Sequence, residues 1–219
     1  IVAKTPATRQ TLMFSATLPK TIMSMAKRFQ RDALRLEISG GERGHADIEY
    51  RAIKVAPNEV EAAVVNVLRF VEAPTSIVFC NTRENVRHLA STLNERGFST
   101  VALSGELSQA ERNHAIQALR DGRARVCVAT DVAARGLDLP NLGLVVHADL
   151  PHDPEVLQHR SGRTGRAGRK GISVLLIPLS RRRRADMMLS QARIAPNWGN
   201  VPSAEAIRKV PDDRAGLER

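Results

Sequence analysis

Between residues 48 and 180, short β-branched runs alternate with amphipathic stretches, and that rhythm restricts the possible folds more than any other feature of the chain. The runs EYRAIKV, SIVFC, STVALS, RVCVAT, LGLVVHA and ISVLLI are rich in Val and Ile, and each has the length of an ordinary strand. Several are apolar throughout, as strands covered on both faces are. Between them, residues 58–70 place Val60, Val64, Val67 and Leu68 on one helical face. Residues 83–96 do the same with Val86, Leu89, Ala90 and Leu93, and Gly97 follows as a helix stop. Ser108 with Glu111 is a capping-box pattern that opens a helix over Gln109–Arg120, which Asp121-Gly122 ends. The alternation predicts an α/β fold, a doubly wound parallel sheet with helices on both faces. Aromatic residues make up only 3% of the chain, so its core must be built from Val, Ile, Leu and Ala.

The flanks break the rhythm. Residues 1–38 hold two strand-like runs, QTLMFSA and LRLEI, around a helix at Lys20–Phe29. Residues 39–47, with three glycines and mixed charge, read as a linker. The sheet domain is expected over 48–193, and 194–219, with three prolines and Trp198, as an irregular tail. Trp198 either packs that tail onto the domain or stacks on a base, packing being the simpler reading. No apolar run is long enough to span a membrane and the N-terminus has no signal-like segment, so the expected setting is cytoplasmic. Cys80 and Cys127 lie within apolar runs with no further ligands clustered nearby, and read as two buried core thiols.

The formal charge of +10 is local. Residues 159–184 hold nine Arg or Lys and no acid; the rest of the chain has 24 basic residues against 23 acidic ones. Such a cluster favours a polyanion. In an open parallel sheet, ligands bind beyond the C-terminal strand ends. There the chain places Asn81-Thr82-Arg83, then Gly105-Glu106 with Ser108, Gln109 and Arg112, then Thr130-Asp131 leading to Arg135, Gly136 and Asp138. Asp149 and Pro151 follow, before a helix that carries His159. Hydroxyl, amide and glycine residues opening helices make phosphate sites, and several along one edge suit a phosphodiester backbone. In HRSGRTGRAGRKG, arginines at 160, 163, 166 and 169 alternate with glycines, which no continuous helix tolerates. An exposed loop from about Gly162, with guanidinium groups projecting toward phosphate, is expected.

Ser15-Ala16-Thr17, IVFCNT, LSGELSQAER, ATDVAARGLD and HRSGRTGR stand in the order of motifs III, IV, IVa, V and VI of the DEAD-box helicases, a family that the chain resembles over residues 12–171. The resemblance implies a RecA-like sheet domain, the C-terminal half of an ATP-dependent RNA helicase. In that family ATP lies between two RecA-like domains, and the first supplies the phosphate loop and the acids for Mg2+. Carried over, Arg163 and Arg166 would reach the γ-phosphate, with His159 contacting the first domain. Gly136 and Asp138 would meet the nucleotide, and Ser15 and Thr17 would couple the domains. Asn81, Thr82, Arg83, Gly105, Gln109, Arg112 and Thr130 would hold RNA.

No GxxxxGK[ST] loop and no DEAD tetrapeptide occur in the 219 residues, so residues 1–38 read as the end of a first domain. Alone, the chain is expected to bind ATP weakly and to hydrolyse it negligibly. The expected partners are RNA, ATP and the N-terminal RecA-like domain. The apolar face of Leu12, Met13, Phe14, Ile22, Met25 and Phe29 must be exposed, repacked or paired with another copy. A non-catalytic RNA-binding module of the same fold, and a DNA-directed relative, remain as alternatives. The arginine block at 181–184 either adds RNA contacts or is a solvated helix start.

Overall fold

Each of the six apolar runs between residues 48 and 180 becomes a strand because its alternate residues find helices on opposite faces. A computed structural model describes residues 4–6, 8–14, 20–36, 47–139, 141–166 and 168–209. They belong to two compact units that divide at Gly40 and Gly41.

The second unit holds a seven-stranded sheet: β1 (Ile48–Val55), β2 (Thr75–Phe79), β3 (Thr100–Leu103), β4 (Val126–Ala129), β5 (Leu142–His147), β6 (Gly171–Pro178) and β7 (Asn197–Gly199). The spatial order is β3-β4-β2-β5-β6-β1-β7, and every pairing is parallel. Helices α2 (Val60–Val71), α3 (Arg83–Glu95), α4 (Gln109–Arg120), α5 (Asp131–Ala134), α6 (Pro154–Ser161), α7 (Arg182–Gln191) and α8 (Ala204–Arg208) connect or follow the strands. The strand period of two divides the core. Val78, Val128, Val146 and Leu176 pack with α2 and α3 on one face. Ile77, Phe79, Cys127 and Val145 pack with α4 and α5 on the other, where Leu175 and Ile177 meet α6 and α7 further along. Cys80 and Cys127 are buried free thiols, and burial pushes both up to about 12, which leaves them unreactive.

The tail departs from expectation. Residues 197–199 add β7 beside β1 in the register Ala52–Trp198, and α8 follows, so the ordered domain runs beyond residue 193. Trp198 packs, with Arg182 stacked 3.6 Å from its ring centre. An edge strand of three residues carries too weak a hydrophobic alternation to be read from sequence.

The first unit contains α1 (Lys20–Phe29), whose C-terminal end is tied to the preceding run by Gln30 Nε2 donating to Thr11 O at 3.2 Å. The two strand-like runs form no strand among their described residues, because a strand needs a hydrogen-bonded neighbour. Leu12, Phe14, Met25, Leu34 and Leu36 are exposed, and residues 8–14, 29–34 and 36 line a groove of about 710 Å³. Ser15 and Thr17, and all of the linker but Asp47, lie outside the described residues. No helix among the described residues is long and apolar enough to cross a membrane.

One glycine carries an exacting position. A methyl group on Gly171, at the start of β6, would lie 2.1 Å from Thr164 Oγ1 and 2.5 Å from the Gly165 amide nitrogen. Gly171→Ala is therefore expected to lose about 1–3 kcal/mol in urea unfolding, as overpacking against backbone does. An unchanged midpoint would show that the loop yields freely.

Candidate nucleotide and nucleic-acid interface

Connections diverge between β2 and β5. The one after β2 leaves through α3 on one face, and the one after β5 leaves through α6 on the other. Ligands of doubly wound sheets occupy the crevice at such a point. Here Arg160 of α6 occupies it, only 1% exposed. Its Nε and Nη2 bond both oxygens of Asp131 at 2.6 and 2.7 Å. Nη2 also donates to Asn81 Oδ1, and Nη1 to Asp149 O, both at 2.9 Å. The Phe79 ring lies 5.1 Å from the guanidinium carbon. One buried cation thus ties together the exits of β2, β4 and β5, since the planar fork matches a carboxylate and two further acceptors. This corrects the expectation that the spaced arginines all project outward. The three-residue repeat treats 160 as equivalent to 163, although 160 still lies in the last turn of α6, on its buried side.

Two more arginines brace the same edge. Arg112 donates to Ala133 O at 2.6 Å and Arg135 O at 3.0 Å, holding α4 to the segment after β4. Arg83 pairs with Glu106 at 2.5 Å across the exits of β2 and β3; both side chains are about half exposed. Thr82 caps α3, accepting from the Asn85 amide at 3.1 Å. Thr130 caps α5, accepting from the Ala133 amide at 3.4 Å, and Ser108 and Glu111 close the capping box of α4. Gly105 is exposed, with open space where a side chain would stand. Gln109 is exposed and bonds Asn113 at 2.9 Å. The expected RNA residues are thus gathered on one edge. Asn81 is engaged by its own chain, its amide nitrogen donating to Leu150 O at 3.1 Å, and so is the Arg112 guanidinium.

A second group forms where the chain turns back toward β6. Asp153 caps α6 and Pro154 opens it, and Gly162 ends it as expected. Arg163 Nη1 then donates to Leu137 O at 3.4 Å, bringing the arginine loop to the segment of Gly136 and Asp138. Gly136 has a φ of +70°, and Asp138 is exposed. Arg166 folds back to donate to Gly162 O at 2.7 Å. Burial, and then the charge of Arg166, lower the affinity of Arg163 for its proton from the usual value. Neither arginine forms an ion pair among the described residues, and the charge of one acts on the other. His159 is exposed on the same helix. No cluster of three or more His, Cys, Asp or Glu residues that could hold a metal occurs among the described residues.

Sequence reasoning missed the support beneath α6. His147 is fully buried, with Nε2 3.0 Å from Ser173 Oγ and 3.4 Å from Ser161 Oγ, and the two serines are 2.9 Å apart. Within LGLVVHA this histidine resembles any strand end. Burial, and then the charge of Arg160, lower its pKa well below 6.5. The folded state thus holds the neutral ring while the unfolded chain binds a proton below pH 6.5, so stability falls as pH drops. The expected slope is up to about 1.4 kcal/mol per pH unit below the unfolded value, above the carboxylate range near pH 5. Chemical unfolding of the wild type and His147→Gln across that window checks it. Parallel slopes in the two would remove the assignment.

Residues 59–168 match the helicase conserved C-terminal domain. The chain is 36% identical over 217 residues to the ATP-dependent RNA helicase DbpA of Escherichia coli, covering 99% of this chain and 47% of that protein. It is 37% identical over 177 residues to the DEAD-box ATP-dependent RNA helicase CshA of Bacillus cereus, covering 81% of this chain and 34% of that protein. The chain thus spans about half or less of these relatives. Among solved structures, the E. coli DEAD-box protein SrmB bound to regulator of ribonuclease activity A aligns with a TM-score of 0.63 and 36% identity, over 73% of this chain and 93% of that one. S. cerevisiae Dbp5 bound to RNA and ADP BeF3 aligns with a TM-score of 0.80 and 26% identity, over 94% of this chain and 55% of that one. The RecA-like sheet, the ordered motifs and these likenesses agree: the chain belongs to the DEAD-box RNA helicases, through their conserved C-terminal domain.

Proposed function

We propose that this chain is the second half of an ATP-dependent RNA helicase, closing over ATP held by an N-terminal RecA-like domain and gripping RNA backbone along its own sheet edge. The observation that carries this reading is Arg163, held against the segment of Gly136 and Asp138 and near enough to Arg166 to feel its charge, with neither arginine in an ion pair among the described residues. Two cations so placed gain most from an anion whose charge grows in the transition state, as that of a transferring phosphoryl group does. Asp138 is close enough in sequence to the segment that Arg163 touches to serve the sugar, and His159 is exposed for the facing domain. Ser15 and Thr17 are assigned to coupling by their motif alone. Magnesium would come with the ATP, held by the other domain.

RNA would meet Thr82, Arg83, Gly105, Gln109 and Thr130 and the amides of the helices that they open. Asn81 and Arg112 would act chiefly by fixing those loops, since their polar groups are engaged internally. The likeness to a structure bound to RNA and ADP BeF3 supports both ligands. Residues 1–38 would be the end of the first domain and 39–47 the linker. Their exposed apolar side chains would otherwise favour self-association. The free thiols suit the cytoplasm.

Amide NMR of the chain tests the two sites separately. Single-stranded RNA is expected to shift residues 81–83, 105–109 and 130–131, and ATP to shift 136–138 and 163–166. RNA and ATP shifting one common set would contradict the division. Matched DNA shifting the first set as strongly as RNA would redirect the substrate.

A further inference from the structure

The block of four arginines at 181–184 is not absorbed by either site. It follows β6 and opens α7. The structure divides its labour. Arg182 is structural, with Nε 2.9 Å from both oxygens of Asp186 and its guanidinium stacked on Trp198. Arg184 leans on the exit of β5, donating from Nη2 to His152 O at 3.1 Å. Arg181 and Arg183 are exposed and make no ion pair or side-chain hydrogen bond among the described residues. The first turn of α7 has no acid, so this charge opposes the helix dipole and adds nothing to stability there.

Position gives the charge a use. All the pairings are parallel, so the exits of β2, β5 and β6 lie at one edge, in that spatial order. At strand spacings just under 5 Å the β2 and β6 exits are about 10 Å apart across the sheet, and β6 runs on from Leu175, level with the ends of β2 and β5, to Pro178 before the arginine block. The contact between Arg184 and His152 makes the surface continuous across the exit of β5. We propose that Arg181, Arg183 and Arg184 extend the RNA track, binding phosphates of a strand that continues past the exit of β2 toward β6. This rests on the RNA reading above. A phosphodiester chain fits better than an acidic protein because the block prolongs a row of phosphate-type loops. The arginines act as additional charges on the backbone and read no base.

The test is the salt dependence of affinity for single-stranded RNA, by fluorescence anisotropy of the chain with a short strand that fills only the exits of β2, β3 and β4, and with a longer one. Circular dichroism monitors folding. The triple variant Arg181→Gln/Arg183→Gln/Arg184→Gln is expected to lower the log–log salt slope on the longer strand by about 2, near 0.7 per lost phosphate contact. The short strand should bind as before, and the triple lysine variant should restore the slope. Unchanged binding of the longer strand would overturn the proposal, as would equal loss on both lengths. Displacement of the RNA by polyglutamate as readily as by unlabelled RNA would overturn it in favour of an acidic protein partner. Arg83→Gln separates the two claims. If it weakens both strands while the triple variant does nothing, the track ends at β5 and the RNA reading stands. If neither variant matters, both fail.

Discussion

Arg163→Ala is expected to lower kcat for RNA-stimulated ATP hydrolysis by about 10³ or more when the chain works with a domain that presents the phosphates, the scale of an arginine finger. The same change should leave folding stability nearly untouched. Arg163 makes one long bond, 3.4 Å to Leu137 O, and is crowded by Arg166, so removing it relieves repulsion as well as losing a contact. Arg163→Lys should not restore the rate, because a point charge lacks the planar fork that meets two phosphate oxygens. Steady-state ATPase with urea unfolding checks both halves. A variant that unfolds easily, or one that keeps its kcat, would assign Arg163 a structural role.

Three residues earlier the expectation is reversed. Asp131→Ala leaves the guanidinium of Arg160 buried without its counter-charge, and an arginine cannot escape by losing its proton. Breaking such a pair from one side is expected to remove about 3–5 kcal/mol. Arg160→Met should cost less, because the Asp131 side chain is 32% exposed and water can take over its solvation. The double variant Asp131→Ala/Arg160→Met should recover part of the loss, since an apolar pair avoids both desolvations. Urea midpoints at constant slope measure all three. If Asp131→Ala were harmless, Arg160 would not be the tie between the strand exits.

These two arginines also mark what the sequence could reveal. The strands and main helices were legible because their apolar periods differ, and each long run meets a covered face. The ordered motifs put most of the candidate residues at the strand exits, where the described loops and helix starts now lie. What pattern could not supply was direction. Arg160 and Arg163 belong to one repeat, yet a helix end between them sends one into the crevice and the other to Leu137, beside Gly136 and Asp138. Arg112 resembles a ligand residue and is bonded to two carbonyls. His147 looks like a strand end and lies in a buried polar cluster. The runs at 10–16 and 34–38 have strand composition but, among the described residues, no neighbour to pair with, and β7 is a strand almost without composition. Each miss turns on a tertiary contact that no local window contains.

The central claim is that this chain completes an ATP site begun elsewhere. Adding increasing amounts of it to a DEAD-box N-terminal domain with saturating ATP and single-stranded RNA, and following phosphate release in a single turnover, tests that directly. Hydrolysis is predicted to rise with the concentration of this chain and to stay at the baseline with Arg163→Ala. Equal hydrolysis with and without the chain, or a rise that Arg163→Ala preserves, would contradict it.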